Sequence, residues 1–423
     1  MSEAGPRRPW AERQLHFIGI GGAGMSGLAL VCAELGATVS GSDRSGSSYM
    51  ERLRRAGLDP VVGHDAANLP AGAEVVVSTA IDAANPELAL ARERGVEPIH
   101  RGALLAQLCA EKRLIAVAGT HGKTTTTAMI VWALRKLGAD PAFFVGGEVP
   151  GVGVGGEAAN AGWGTGEWVV AEADESDGSF LELKPEIAVV TNIEMDHHTR
   201  WGSLAALHRA FEEFVAPARV VVEFSAEAPG PDPLPLAVPG DHNLLNARAA
   251  LAAIAAAGFE LKAAAAALAD FPGVRRRLEL KGSRGGVRIY DDYAHHPTEI
   301  RAALSALREL EPERLIAVFQ PHLYSRTKAL ATGFGAALAL ADEVVVLDVY
   351  PAREQPVGEL AEVSGLQVAE AAAERNGGRP VWWLPQAATA ERALVGILDR
   401  AGTGIMVTIG AGDVFKLGEG LIG

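Results

Sequence analysis

The chain has 423 residues, enough for roughly two to four domains that each bury a core, and it is 48% apolar and 21% charged, as globular proteins are. A formal net charge of -14 argues against a nucleic-acid or anionic-membrane surface, so a phosphate-rich ligand must be met by local cations and helix ends. Cys32 and Cys109 are too few for a disulfide scaffold or a metal cluster, and no apolar run reaches membrane-spanning length. The expectation is a soluble, cytoplasmic protein without membrane insertion.

In chain order, residues 15–20 read as a strand, 25–35 as a helix closed by Gly36, and 38–41 as the next strand. Between the first two lies Gly19-Ile20-Gly21-Gly22-Ala23-Gly24. Glycines at Gly21, Gly22 and Gly24 let the backbone turn tightly and approach a pyrophosphate, and Asp43 follows about 20 residues on, where an acid can bond a ribose hydroxyl. An NAD cofactor and a UDP-sugar satisfy this physics equally. His64, Ser78 and Thr79 follow strand-like runs and can line the same site.

Residues 101–112 read as a linking helix before the most informative stretch. Residues 114–118 form an apolar strand, Gly119-Thr120-His121-Gly122 a tight loop, and 124–137 a helix. Amides at such a helix start face an anion, Lys123 supplies a point charge for the β/γ-phosphates, and the hydroxyl of Thr124 or Thr125 can reach Mg²⁺. The general pattern G-x-x-x-x-G-K-[ST] fails, because Val117 stands where its first glycine belongs.

Two further strands, 168–171 and 187–191, end in Glu172-Ala173-Asp174-Glu175-Ser176-Asp177 and in Asn192-Ile193-Glu194-Met195-Asp196-His197-His198. Carboxylates and a histidine at strand ends beside a phosphate loop suit Mg²⁺, which favours oxygen ligands. After a short proline-rich segment, 222–239, Gly240-Asp241-His242-Asn243 caps a helix whose Asn246 amide can pair with adenine's edge, with His242 beside it. Phe271-Pro272-Gly273 reads as a hinge into Arg275-Arg276-Arg277, a basic run placed to clamp a γ-phosphate, chiefly through Arg277. A strand at 287–290 then ends in Asp291-Asp292-Tyr293-Ala294-His295-His296-Pro297-Thr298-Glu299. Two more strands carry the string from Phe319 through His322, Leu323 and Arg326 to Thr327, and the string from Leu347 to Glu354. The last, 405–409, ends in GAGD.

GTHGKTT at 119–125, HFIGIGGAGMSGLA at 16–29, EADESDGSFL at 172–181, GDHNLLNA at 240–247 and DDYAHHPTE at 291–299 occur in one order. In that order the chain resembles the Mur ligases, the ATP-dependent amide-bond formers of bacterial cell-wall synthesis, and among them the alanine-adding branch. The resemblance implies an α/β fold of three domains: a Rossmann-like UDP-binding domain at 1–112, a phosphate-loop ATPase-like central domain at 113–271, and a Rossmann-like C-terminal domain at 272–423 closing on ATP and amino acid. It implies UDP-N-acetylmuramate and L-alanine as substrates, ATP and Mg²⁺ as cofactors, and a monomer or homodimer. Glu172 and His197, with Thr124, would hold Mg²⁺. Lys123 and Arg326 would act on the phosphoryl or carboxylate, and His295 or Asp292 would take the amine's proton or orient alanine. Leu323 stands where many relatives have arginine, so that either Arg326 carries more of that contact or another arginine substitutes. The alternatives are a ligase for a recycled tripeptide and, outside the family, a nucleotide-dependent dehydrogenase.

Overall fold

Each apolar run that ends in a glycine-rich or acidic string is a strand covered on both faces by helices, as parallel sheets require. A computed structural model describes residues 9–195, 200–224, 230–352, 354–400 and 402–422. The described residues form three sheets, and the chain divides into two compact units. One unit runs to Pro235 and resumes over Leu245–Phe271, and it holds the first two sheets; the other comprises Leu236–Leu244 and everything from Pro272 onward, and it holds the third.

The first sheet consists of β1 (Gln14–Ile18), β2 (Thr38–Asp43), β3 (Val61–Val62), β4 (Glu74–Val77) and β5 (Ile99–His100). They lie parallel in the order β3-β2-β1-β4-β5. The crossovers carry helices α1 (Ala23–Glu34), α2 (Ser48–Arg55) and α3 (Pro86–Glu93), and α4 (Arg101–Cys109) leaves β5. Strand order reverses at β1, so a crevice opens beyond the carboxyl ends of β1 and β4, where the glycine-rich turn and Ser78 sit.

The second sheet has β6 (Arg113–Ala118), β7 (Ala142–Val149), β8 (Ala159–Gly162), β9 (Trp168–Glu172), β10 (Ile187–Val190) and β11 (Val220–Glu223), in the order β11-β10-β6-β9-β7-β8. Only β8 is antiparallel. Helix α5 (Lys123–Lys136) leaves β6, and α6 (Leu204–Val215) joins β10 to β11. Since β6 lies between β9 and β10, the phosphate loop and both acidic strings emerge side by side. One apolar core runs through both sheets. Helix α1 packs directly on β8, where a Cβ on Gly27 would come within 2.9 Å of Ala161 Cβ, closer than side chains tolerate. Helices α7 (Asp241–Ala256) and α8 (Leu261–Leu268) follow, and the Trp132 indole of α5 donates to the Ala267 carbonyl in the last turn of α8.

The third sheet has β12 (Glu279–Arg284), β13 (Val287–Asp292), β14 (Leu315–Phe319), β15 (Glu343–Val346), β16 (Val381–Trp383) and β17 (Gly404–Ile409), in the order β12-β13-β17-β14-β15-β16. Only β12 is antiparallel. Helices α9 (Pro297–Arg308) and α10 (Tyr324–Leu338) start just beyond β13 and β14. The strand predicted at 287–290 continues through Asp292, because Asp291 and Asp292 pair with Thr408 and Ile409 of β17. β15 stops at Val346, and the string that begins at Leu347 follows it.

Candidate active site

β6 leaves its sheet through Gly119 at φ +134°, where any Cβ would overlap Thr191 Oγ1. The loop is stapled to the segment after β10. The Thr120 amide donates to the Asn192 carbonyl (2.9 Å), Thr120 Oγ1 donates to the Glu194 carbonyl (3.0 Å), and the His121 amide donates to Asn192 Oδ1 (2.9 Å). Gly122 turns into α5 at φ +81°, and Asn246 stands against it so closely that a Cβ would overlap its Oδ1, which accepts from Thr126 Oγ1 (3.2 Å). The structure thus places Asn246 beneath the loop.

Lys123 Nζ lies 2.6 Å from the Gly119 carbonyl, 3.1 Å from that of Thr120 and 2.9 Å from Glu175 Oε2. Burial opposes its charge, but Glu175, Asp174 and Glu172 outweigh burial and hold its pKa above that of an ordinary lysine. Glu175 is pushed up to about 7, mainly by burial and against the pull of Lys123, so it is the member of the pair that can discharge near neutrality. Asp174 stays ionised: its burial is overcome by Lys123 and Arg101. Thr124, rather than Thr125, turns its hydroxyl to Glu172 Oε1 (3.0 Å), and Glu172 Oε2 accepts the Gly146 amide (2.6 Å). His197 lies outside the described residues.

In the first sheet Asp43 secures the turn, its Oδ2 accepting the Gly21 amide (2.9 Å). Ser78 Oγ accepts the Ala80 amide (3.4 Å) in the turn after β4. His64 Nδ1 bonds Ser42 Oγ (2.9 Å), which donates to Glu87 Oε2 (2.6 Å). Glu87 is fully buried and also takes His16 Nε2 (3.0 Å), Asn68 Nδ2 (3.0 Å) and the Asp65 amide (3.2 Å). Burial would raise its pKa, but the bonds from His16, Ser42 and Asn68 prevail and bring it down to about 2. A depressed carboxyl stabilises the fold above its ordinary pKa and loses that contribution as pH falls toward the folded value. Glu87→Gln should therefore cost about 2 kcal/mol at pH 7, and the gap to the parent in urea unfolding should narrow between about pH 5 and 2. A gap independent of pH would show that the charge does not hold the His64 loop.

In the third sheet the arginine run divides its labour. Arg276, at φ +61°, donates to Asp291 (3.0 Å) and the Gly410 carbonyl (2.8 Å) and lies over the rings of Phe415 and Tyr293. It is a packing residue. Arg277 lies over Tyr293 and 3.8 Å from Glu299; burial, with Arg277 adding to it, brings the His242 pKa down to about 4. Asp292 accepts the Leu278 amide (2.8 Å) and the Ala294 amide (2.8 Å), one on each oxygen; burial raises it to about 6. A carboxyl so engaged shapes the strand end. His295 Nδ1 is 3.1 Å from the Tyr293 carbonyl, which fixes the proton there and leaves Nε2 as an acceptor. Burial brings its pKa down to about 4. Leu323 takes φ +69° ahead of α10, and Arg326 on the first turn bonds His322 Nδ1 (3.5 Å).

Residues 14–113 match the Mur ligase family catalytic domain, 117–227 the Mur ligase middle domain, and 276–412 the Mur ligase glutamate ligase domain. The chain belongs to the Mur ligase family. It is 44% identical to the UDP-N-acetylmuramate--L-alanine ligase of Renibacterium salmoninarum, over 97% of this chain and 95% of that protein. It is 45% identical to that of Kineococcus radiotolerans, over 96% and 94%. The crystal structure of UDP-N-acetylmuramate-alanine ligase from Thermotoga maritima superposes with a TM-score of 0.81 at 29% identity, covering 96% of this chain and 98% of that one. A murein peptide ligase from Psychrobacter arcticus gives 0.68 at 25%, covering 97% and 98%.

This Mur ligase uses residues that sequence reasoning passed over. Glu175 balances Lys123, the Gly146 amide aims Glu172, and Glu87 anchors the His64 loop. Glu175 stood within a string already singled out for its acids. Gly146 and Glu87 carried no local signal, because their partners lie 26 and 45 residues away in sequence.

Proposed function

We propose that this Mur ligase joins L-alanine to UDP-N-acetylmuramate in peptidoglycan-precursor synthesis, consuming ATP. What carries the reading is a charged Lys123 and a Thr124–Glu172 pair at the reversal point of the second sheet, in a chain this similar to alanine-adding relatives. A carboxylate is a poor electrophile. Its oxygen attacks the γ-phosphorus, ADP leaves, and the resulting acyl phosphate is displaced by the amine of alanine, releasing phosphate. The protein positions the groups and stabilises charge. The loop amides and Lys123 hold the terminal phosphates, and Asn246 keeps the loop in shape. Thr124 and Glu172 are oxygen donors 3.0 Å apart, a pair that fits Mg²⁺, and with His197 they would hold it. Bound there, Mg²⁺ offsets negative charge on the β/γ-phosphates. Residues 1–112 take the sugar nucleotide and 113–271 ATP, and 272–423 supplies Arg277 for the γ-phosphate and His295 and Arg326 for the amine half. Among the described residues no helix is long and apolar enough to cross a membrane; a cytoplasmic reaction is part of this reading.

The test is phosphate release with UDP-N-acetylmuramate while alanine, serine, glycine and the recycled tripeptide are varied. Alanine should dominate; a response to the tripeptide alone would replace the reading by the recycling reaction. Asp43→Ala should weaken UDP-substrate binding about tenfold or more, since a charge-assisted bond to the Gly21 amide is lost, and leave ATP affinity unchanged. Calorimetric titration of both nucleotides checks it. A parallel fall in both affinities would refute separate sites.

A further inference from the structure

We infer that Arg101 is a binding residue of the sugar-nucleotide subsite, donating from Nη1 to an anionic group of the ligand beside the glycine-rich turn. The inference deepens the proposed function and rests on its assignment of the first sheet to the sugar nucleotide.

Arg101 opens α4 directly after β5. Its Nη2 donates to Asp174 Oδ2 (2.8 Å) and Asp177 Oδ2 (2.9 Å) on the acidic turn after β9. Those two bonds use both protons of Nη2, and the two protons of Nη1 have no partner among the described residues. A Cβ on Gly24 would stand 3.6 Å from Nη1, and Gly24 is the second residue of the 12-residue helix α1, whose N-cap Gly22 offers no side-chain acceptor to the first amides. A helix start with unspent amides and the Nη1 group of a charged guanidinium therefore lie side by side, a setting for an oxyanion contact shared by both.

The guanidinium is also held still. Gly102, next along α4, lies against Ser179 so closely that a Cβ would overlap it, and Asp177 Oδ1 accepts the Ser179 amide (3.0 Å). A purely structural arginine joining α4 to the acidic turn would account for Nη2 and leave the placement of Nη1 unexplained. The acidic turn includes Glu175, the partner of Lys123, so Arg101 stands between the glycine-rich turn and the phosphate loop. A muramate sugar nucleotide has two anions to offer along that line, its diphosphate and its lactyl carboxylate.

The experiment separates them. Dissociation constants of UDP-N-acetylglucosamine, which has the diphosphate alone, and of UDP-N-acetylmuramate, which has both anions, are measured calorimetrically on the full chain. The proteins are the parent, Arg101→Ala, Arg101→Lys and Asp177→Asn, each shown to bind ATP like the parent. Arg101→Ala should weaken binding about tenfold to 100-fold, and Arg101→Lys should recover part of it as a point charge. Equal weakening of both ligands assigns the contact to the diphosphate; weakening of the muramate alone assigns it to the carboxylate. Asp177→Asn keeps the bond to Ser179 but sets an amide donor against Nη2, which Asp174 still holds, so it should weaken binding less than Arg101→Ala does. The inference is overturned if Arg101→Ala stays within twofold of the parent, or if Asp177→Asn weakens binding as much as Arg101→Ala. Failure of the parent to bind either ligand would overturn the underlying assignment of the subsite and this inference with it.

Discussion

Lys123→Ala is expected to reduce amide formation by about 10³-fold or more while UDP-substrate binding persists. Among the described residues the lysine's contacts are confined to the phosphate loop and Glu175, and none lies in the first sheet. Its charge is fully present at neutral pH, so the whole of it is available to a phosphoryl group that spreads negative charge over its oxygens in the transition state. The variant should fold. Removing a lysine from beside a buried carboxylate is costly when the carboxylate must stay charged, but Glu175 is already pushed to about 7 and can take a proton instead. Single-turnover phosphate release and calorimetric binding of UDP-N-acetylmuramate give the two readouts. Turnover within tenfold of the parent would remove Lys123 from the phosphate site.

The second large effect concerns the amine. His295→Ala should slow amide formation about 100-fold while acyl-phosphate formation falls much less, so that the intermediate leaks to water and phosphate exceeds product. The geometry defines the role. With Nδ1 bonded to the Tyr293 carbonyl and the ring edge-on to Tyr293, Nε2 is a fixed neutral acceptor, suited to orient an amine. A pKa near 4, brought down mainly by burial, makes the imidazole a weak base at pH 7, so positioning carries more of the effect than proton abstraction. The sign for pH follows. The ring takes up a proton only as pH falls toward about 4, so the parent should show no loss of rate near pH 6.5 that the variant lacks. Phosphate and amide product measured together at saturating alanine decide the matter. If both slow in step, His295 serves phosphoryl transfer or packing.

Much of this was legible in the chain. Residues 114–118 are apolar because β6 is buried on both faces, and Gly-Thr-His-Gly-Lys-Thr follows because a turn with positive φ at Gly119 and Gly122 must lead straight into a helix. The glycine-rich turn before α1 and the acids after β9 and β10 are local in the same way, each string sitting on the strand end that precedes it. Such features depend on neighbours in sequence, which is why strand, loop, helix and ligand class could be read from composition and spacing. Partners could not. DDYAHHPTE marks a site but does not show that Asp292 spends both oxygens on the amides of Leu278 and Ala294, nor that Arg276 is consumed by Asp291 and Gly410 while Arg277 faces Glu299. Arg101 read as the start of a linking helix, and only the docking of α4 on the turn after β9 brings it to acids 73 and 76 residues away. In a parallel sheet the strand order decides which loops emerge together, and that order is set by packing over the whole sheet, to which no single stretch of sequence has access.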